Sequence, residues 1–122
     1  MKPYISAVII CQSIGNEGGL NSVKGIFGNL SSTAFPTEAT FSVFVQVNGK
    51  GHATIEVSVK DANDLTVASV NRVEIEVMPT RCSVVIAKLV VRFGSPGLYQ
   101  VVPAVNGVVG PAVPLTIQHV TG

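Results

Sequence analysis

The sequence is poor in charged side chains and contains no tryptophan. Asp, Glu, Lys and Arg make up 12% of the 122 residues, about half of the roughly 25% that is usual in a soluble domain. The net charge is +1, and the eight basic residues between Lys2 and Arg92 stand singly. Because the chain has no basic run that could follow a phosphate backbone, we expect no nucleic-acid partner.

Long apolar runs are missing as well. None approaches the roughly 20 residues of a membrane-spanning helix, so we expect no membrane association. The segment from Ala7 to Ile10 is too short for the apolar region of a signal peptide, and Ile10 is not the small residue that a cleavage site needs. We therefore expect a cytoplasmic protein in which Cys11 and Cys82 remain thiols.

The common marks of a reaction site are also missing. There is no Gly-x-Ser-x-Gly nucleophile motif, and the stretch Gly49-Lys50-Gly51 lacks the spacing of a phosphate-binding loop. Zinc sites usually take ligands in close pairs, whereas the candidate soft-metal ligands stand singly on different predicted strands: Cys11, Cys82, His52 and His119. Separate strands can converge in space, and spacing alone leaves that point open. We predict no enzyme, no cofactor and no metal site.

Glu74 and Glu76 are a candidate pair of catalytic carboxylates. On one face of a strand they lie about 7 Å apart, given a rise of about 3.3 Å per residue. Arg72 shares that face and is placed to balance their charge. We interpret the three residues as part of the solvent-exposed face of a sheet whose other face is buried.

What the chain has in abundance is valine and isoleucine, together with 12 glycines and 7 prolines. Branched side chains favour strands, and turn signals recur at intervals of about ten residues. We predict an all-β fold, an antiparallel β-sandwich of eight or nine strands in a single domain over residues 1–122. The predicted strands are Tyr4 to Ile14, Leu20 to Phe27, Phe41 to Val47, Ala53 to Val59, Leu65 to Val70, Val73 to Val77, Ser83 to Phe93, and the two strands of a closing hairpin within Ser95 to Ile117.

Two tight turns suggest hairpins. Period-two alternation on both sides of the turn from Asn48 to Gly51 predicts an antiparallel hairpin with one buried face. Asn106-Gly107 between apolar runs is a strong hairpin signal, because both residues tolerate positive φ. Pro103, Pro111 and Pro114 cannot donate to a ladder, so we expect bulges or edge positions there.

The longest irregular stretch is predicted from Gly28 to Glu38. Loops at the ends of a sandwich are common binding sites, and Phe35 with Pro36 is the candidate binding loop. The alternative is a connection that crosses between the two sheets, with Phe35 filling the core. We favour the alternative because large apolar side chains are usually inside.

Two resemblances attach to particular residues. The run Ser95-Pro96-Gly97-Leu98-Tyr99-Gln100-Val101 resembles the penultimate strand of immunoglobulin-like and fibronectin-like sandwiches. That similarity implies that Tyr99, preceded by Gly97, bonds through its hydroxyl to nearby backbone. Val101 stands where antibody domains carry a cysteine, so the similarity is to the architecture and not to the antibody family.

The second resemblance spans nearly the whole chain. The first strand Ala7-Val8-Ile9-Ile10-Cys11, the run Leu20-Asn21-Ser22-Val23-Lys24-Gly25-Ile26-Phe27, the break Phe35-Pro36 and the closing Pro-Gly-x-Tyr hairpin resemble a bacterial family of small uncharacterised proteins. It implies a bacterial β-sandwich and no known activity.

No residue pattern specifies a function. We expect a non-catalytic protein-interaction module. The alternative is a structural subunit that forms a homo-oligomer, because few charges leave sheet edges less protected against self-association. A weaker alternative is a small-molecule or metal-binding enzyme.

Overall fold

The regular structure consists of β-strands, which confirms the all-β prediction. A computed structural model describes residues 2–18, 20–70, 72–80 and 83–121. Among these residues, no helix has the length and apolar character needed to cross a membrane. The strands are β1 (Tyr4–Glu17), β2 (Leu20–Ile26), β3 (Asn29–Ser32), β4 (Thr37–Asn48), β5 (Gly51–Lys60), β6 (Thr66–Ser69), β7 (Val73–Val77), β8 (Ser83–Phe93), β9 (Gly97–Val105), β10 (Val108–Val109) and β11 (Val113–His119).

The strands form two sheets. The first sheet has four strands in the order β2-β1-β4-β8. The second has seven, in the order β3-β11-β9-β5-β6, with β7 also paired to β5 and β10 to β9. Neighbouring strands are antiparallel except β3 and β11, which run parallel. The second sheet is therefore mixed.

The apolar core lies between the two sheets. Alternate residues of β4, β5 and β8 are buried, as expected when branched side chains line one face of a pleated strand. In β8 every second residue from Val85 to Phe93 is at most 6% exposed. Tyr99, Leu115 and Ile117 of the second sheet belong to the same buried cluster. One continuous core therefore holds the two sheets together.

The turn between Asn48 and Gly51 carries the chain from one sheet to the other. β4 pairs with β1 and β8, whereas β5 pairs with β6, β7 and β9, so the predicted hairpin of these two strands is wrong. Alternating burial fits strands that face each other across a core as well as strands that lie side by side. Gly49 has φ +115°, and a Cβ there would lie 2.6 Å from the carbonyl oxygen of Lys2, so the turn requires glycine.

Residues 28–38 are more regular than the sequence predicts. β3 covers Asn29–Ser32 and β4 already begins at Thr37. Leu30 of β3 lies opposite Ile117 of β11, so the partner of this short strand is far away in the chain and leaves no local signal. β3 and β10 raise the strand number among the described residues to eleven, above the predicted eight or nine.

The Asn106-Gly107 corner forms the tight turn between β9 and β10. The two φ angles are 50° and 80°, both positive as in the turn type that suits a two-residue hairpin. The backbone N of Thr54 donates to Asn106 Oδ1 at 2.8 Å, and Asn106 Nδ2 donates to the carbonyl of His52 at 3.1 Å. The turn is thus fixed to β5. The strand is interrupted beyond β10, around Pro111, before β11 resumes along β9.

Candidate functional site: a groove at the open edge of the first sheet

β8 is the regular outer strand of the first sheet. Its sequence alternates inward apolar residues with outward Ile86, Lys88, Val90 and Arg92, which are exposed. It pairs with β4 in an unbroken register along its whole length. β4 is its one partner among the described strands, so the opposite edge of β8 presents unpaired backbone N–H and C=O groups.

A groove of about 420 Å³ runs along this open edge. Four consecutive residues of β8 line it. Because successive side chains of a strand point to opposite faces, a groove that touches four in a row lies at the strand's edge and not on one face. The lining residues are Val85, Ile86, Ala87 and Lys88 of β8, Ile55 and Val57 of β5, and Ser69, Val70 and Val73 at the ends of β6 and β7.

The second sheet supplies the opposite wall because its own edge is split. β6 and β7 pair with the same side of β5, β6 along Ser58 to Lys60 and β7 along Gly51 to Ile55. Between them, the backbone N of Val70 donates to the carbonyl of Val57 at 3.0 Å. Ile55 and Val57, each 1% exposed, form the floor where the two short strands separate.

The charges near the groove are basic on the β8 side. Within the described residues neither Lys88 nor Arg92 forms an ion pair, whereas Arg72 pairs with Glu56 at 3.3 Å. On the neighbouring strand Ser42 lies opposite Lys88, and Glu38 lies opposite Arg92. Lys88 is therefore a cation at the rim with no carboxylate opposite it.

His52 of β5 lies between Glu74 and Glu76 of β7. Its Nδ1 is 2.9 Å from Oε1 of Glu76, and its Nε2 is 3.6 Å from Oε1 of Glu74. The hydrogen bond to Glu76, with a further contribution from Glu74, raises the pKa of His52. The three side chains are exposed, so this cluster resembles a solvated strand face. The side chain between the two carboxylates is that of His52 and not that of Arg72, which contacts Glu56.

The candidate metal ligands are spread over the molecule. Cys11 is fully buried in β1, and this burial raises the pKa of its thiol. His52 lies on β5 and His119 at the end of β11, while Cys82 lies outside the described residues. In the part of the chain that the structure describes, no group of three or more His, Cys, Asp and Glu side chains could hold a metal ion.

Tyr99 closes the turn that follows β8. Its Oη donates to the carbonyl of Ser95 at 2.8 Å, and its ring packs against Phe93 with centroids 4.8 Å apart. Gly97 begins β9, opposite Ile117. The far end of β8 is therefore anchored to the second sheet.

Phe35 and Pro36 lie in the segment between β3 and β4, joined by a cis peptide bond. Phe35 is partly buried against the core, and its ring is 6.0 Å from that of His119. It fits the alternative of a core-packing residue better than that of an exposed anchor. None of the predicted site residues lines the groove at β8. The alternation of Ser83 to Phe93 indicates a strand, but no local signal marks it as an edge.

Two sheets packed around one apolar core define a class of protein, the all-β proteins. A family model described as a family of unknown function (DUF6941) matches residues 6–118, and the chain belongs to this family. The resemblance to a family of uncharacterised all-β proteins is confirmed. Its bacterial origin stays a prediction.

Among solved structures, a similar one is the Pseudomonas fluorescens alkylpurine DNA glycosylase AlkC bound to DNA containing an abasic site analog. The TM-score is 0.48 and the sequence identity 9%, over 91% of this chain. The chain spans 30% of the glycosylase chain. A likeness at this level carries no argument about the present protein. The comparison with curated proteins gave no match.

Proposed function

We propose that the protein is a non-catalytic interaction module that binds an extended segment of a partner protein along the open edge of β8. The observation that carries the proposal is the groove beside this edge, lined by four consecutive β8 residues and by the split edge of the second sheet. A segment added there pairs its backbone with β8 and places alternate side chains in the groove. Strand addition of this kind takes its affinity from main-chain hydrogen bonds and its specificity from the pockets.

The proposal includes an immunoglobulin-like identity for the two-sheet sandwich. It is supported by the hydrogen bond from Tyr99 to the carbonyl of Ser95, which has the geometry of the tyrosine corner in such folds. A cytoplasmic location remains a prediction.

A selection from a displayed library of random peptides tests the binding function. Val73 lines the groove and lies opposite Ile55 of β5. Its side chain therefore shares the face of that buried residue, and Val73→Trp places a ring in the groove. Val67→Trp is the matched control, since Val67 is 38% exposed, as Val73 is, and lies outside the lining of the groove. We expect enriched peptides that bind the wild type and Val67→Trp and lose binding to Val73→Trp. Binders that are indifferent to Val73→Trp contradict the proposal.

A second candidate function is a homo-oligomeric structural subunit. It is favoured by β7, whose sequence Val-Glu-Ile-Glu-Val alternates apolar and acidic residues at another outer position, next to β5. An acidic outer strand of one copy could pair with the basic edge of β8 in another. Sedimentation velocity over a range of protein concentrations separates this candidate from the first, because only self-association makes the sedimentation coefficient rise with concentration.

A further inference from the structure

The described residues that line the groove combine apolar surface with a single charge. That charge belongs to Lys88, and Ser69 is the one other polar side chain in the lining. A groove whose lining side chains are mostly apolar, with one cation that forms no ion pair among the described residues, is not equally suited to all extended segments. The two faces of β8 therefore determine which side chains a bound segment should carry.

We propose that the segment bound along β8 is acidic on one face: a stretch of another protein that alternates apolar side chains with Asp or Glu. This inference rests on the proposed function and adds the chemical class of the partner.

The inner face of an added strand requires apolar side chains. Successive side chains of the segment point alternately to the two faces of the extended sheet. Those on the inner face meet Val85 and Ala87, which are 6% and 5% exposed, and the floor formed by Ile55 and Val57. A charged side chain placed there would lose its hydration without a partner.

The outer face favours carboxylates. Ile86, Lys88, Val90 and Arg92 point outward along β8 and are exposed. Opposite charges on neighbouring strands stabilise a sheet, and like charges destabilise it. Lys88 faces Ser42 on its paired side, so an acidic residue on the added strand supplies the carboxylate that this cation lacks.

A second copy of the chain fits the edge less well. Antiparallel pairing of β8 with β8 would bring Lys88 and Arg92 of two copies onto one face, where like charges repel. β7 has the required alternation but only five residues, against eleven in β8, and Glu74 and Glu76 already contact His52. A separate segment can pair with β8 beside the groove, where Val85 to Lys88 line the edge.

Fluorescence anisotropy with synthetic peptides tests the inference. The probe is a labelled peptide as long as β8 that alternates Val and Glu. Peptides that alternate Val with Gln or with Lys isolate the contribution of charge. A Val and Glu peptide that is N-methylated along one edge cannot donate hydrogen bonds there. We expect affinity to fall from Glu to Gln to Lys, and to fall about tenfold or more on N-methylation, because several main-chain hydrogen bonds are lost.

Two charge-reversal variants locate the contact. Lys88→Glu should weaken binding of the Glu peptide by about three- to tenfold at low salt, as expected when an exposed ion pair becomes a repulsion. Lys24→Glu is the matched control, since Lys24 is an exposed lysine on β2, the other outer strand of the same sheet. It should leave affinity unchanged. Circular dichroism checks that both variants keep the fold.

The outcomes separate the inference from the function on which it rests. If the Gln peptide binds as tightly as the Glu peptide, or Lys24→Glu weakens binding as much as Lys88→Glu, the inference of an acidic partner is wrong. Strand addition still stands in that case if Val73→Trp abolishes binding. If N-methylation leaves affinity unchanged, strand addition itself fails. If no peptide binds, the inference is overturned and the displayed library decides the proposed function. Self-association that Lys88→Glu abolishes would make a second copy the occupant and overturn the inference.

Discussion

The two outer strands of the first sheet, β2 and β8, are held in different ways. β8 lies along β4 from the pair Thr37 and Phe93 to the pair Val47 and Ser83, and its inward side chains are buried in the core. β2 pairs with β1 from Ile26 opposite Cys11 outward to the turn, and its Leu20 and Ile26 are 74% and 68% exposed. Among the described strands, each of the two pairs with a single neighbour, but the inward side chains of β8 are buried in the core, whereas Leu20 and Ile26 of β2 are exposed.

The difference shows what a sheet edge needs in order to serve as a template. A strand that is to receive a partner must keep its own backbone straight while the other edge is being paired. Packing against the core fixes β8 in this way, whereas little fixes β2. This contrast supports the proposal that a partner segment pairs with β8 and not with β2.

The largest difference between the two strands should appear when the same leucine truncation is made in each. Leu89 of β8 is 2% exposed, and Leu20 of β2 is 74% exposed. We expect Leu89→Ala to lower the free energy of unfolding by about 2–5 kcal/mol because it leaves a cavity. Leu20→Ala should change it by no more than about 0.5 kcal/mol. Urea denaturation measures both, and similar losses would remove the contrast.

A smaller effect is expected at Gly25 of β2. Gly25 has φ +69°, and a Cβ there would lie 2.6 Å from Oε1 of Gln12. The Gln12 side chain can move, so the cost of Gly25→Ala comes mainly from the left-handed backbone, about 1–2 kcal/mol. Gly94, just after β8, has open space where the methyl group of an alanine would lie, and Gly94→Ala should be nearly neutral. Denaturation curves that rank the two substitutions the other way contradict this account.

Removal of one hydroxyl tests the anchor at the end of β8. Tyr99→Phe deletes the hydrogen bond to the carbonyl of Ser95 and should cost about 0.5–1.5 kcal/mol of stability. Tyr4 is 44% exposed, so Tyr4→Phe is the control and should have no measurable effect. Thermal unfolding of the two variants decides the point, and a neutral Tyr99→Phe would show that the bond does not hold the turn.

The smallest effect concerns β7, a strand that pairs with β5 and whose Glu74 and Glu76 contact His52 of β5. The hydrogen bond to Glu76 raises the pKa of His52 above its ordinary value of 6.5. Protonated His52 therefore favours the folded state. This contribution is fully present below about pH 6.5 and is lost as the pH rises through the raised pKa of the folded protein.

An NMR titration of the His52 ring follows this group directly. Glu76→Gln should lower the pKa of His52, while Glu38→Gln, which changes an exposed carboxylate on β4, should leave it unchanged. Because His52 is exposed, the accompanying change in stability is small. A His52 pKa that does not respond to Glu76→Gln would contradict the assignment.

Local patterns predict the strands well, because alternation and turn chemistry are properties of a few neighbouring residues. The predicted strands Ser83 to Phe93 and Val73 to Val77 have the bounds that the structure has, and the Asn106-Gly107 turn has the expected positive φ angles. β3 escapes prediction because it has four residues and pairs with β11 at the opposite end of the chain.

Local patterns do not predict which strands pair with each other or which strand lies at the edge of a sheet. The alternation of β4 and β5 is the same whether the strands lie side by side or face each other across the core, so the pattern does not distinguish the two arrangements. The groove depends on β6 and β7 separating where β5 continues, which is a property of three strands together. Lys88 is a single lysine in the sequence and becomes distinctive only when β8 is known to be an edge.

The position of β11 has a consequence for how the protein is made. β11 is the last described strand to leave the ribosome, yet it lies inside the second sheet, between β3 and β9. Until it arrives, β3 has no neighbour among the described strands, and the faces later covered by Leu115 and Ile117 stay open to water. This sheet is therefore complete only after residues 113–119 have been synthesised, and a nascent chain that stalls before them exposes the apolar surface on which aggregation and chaperone binding depend.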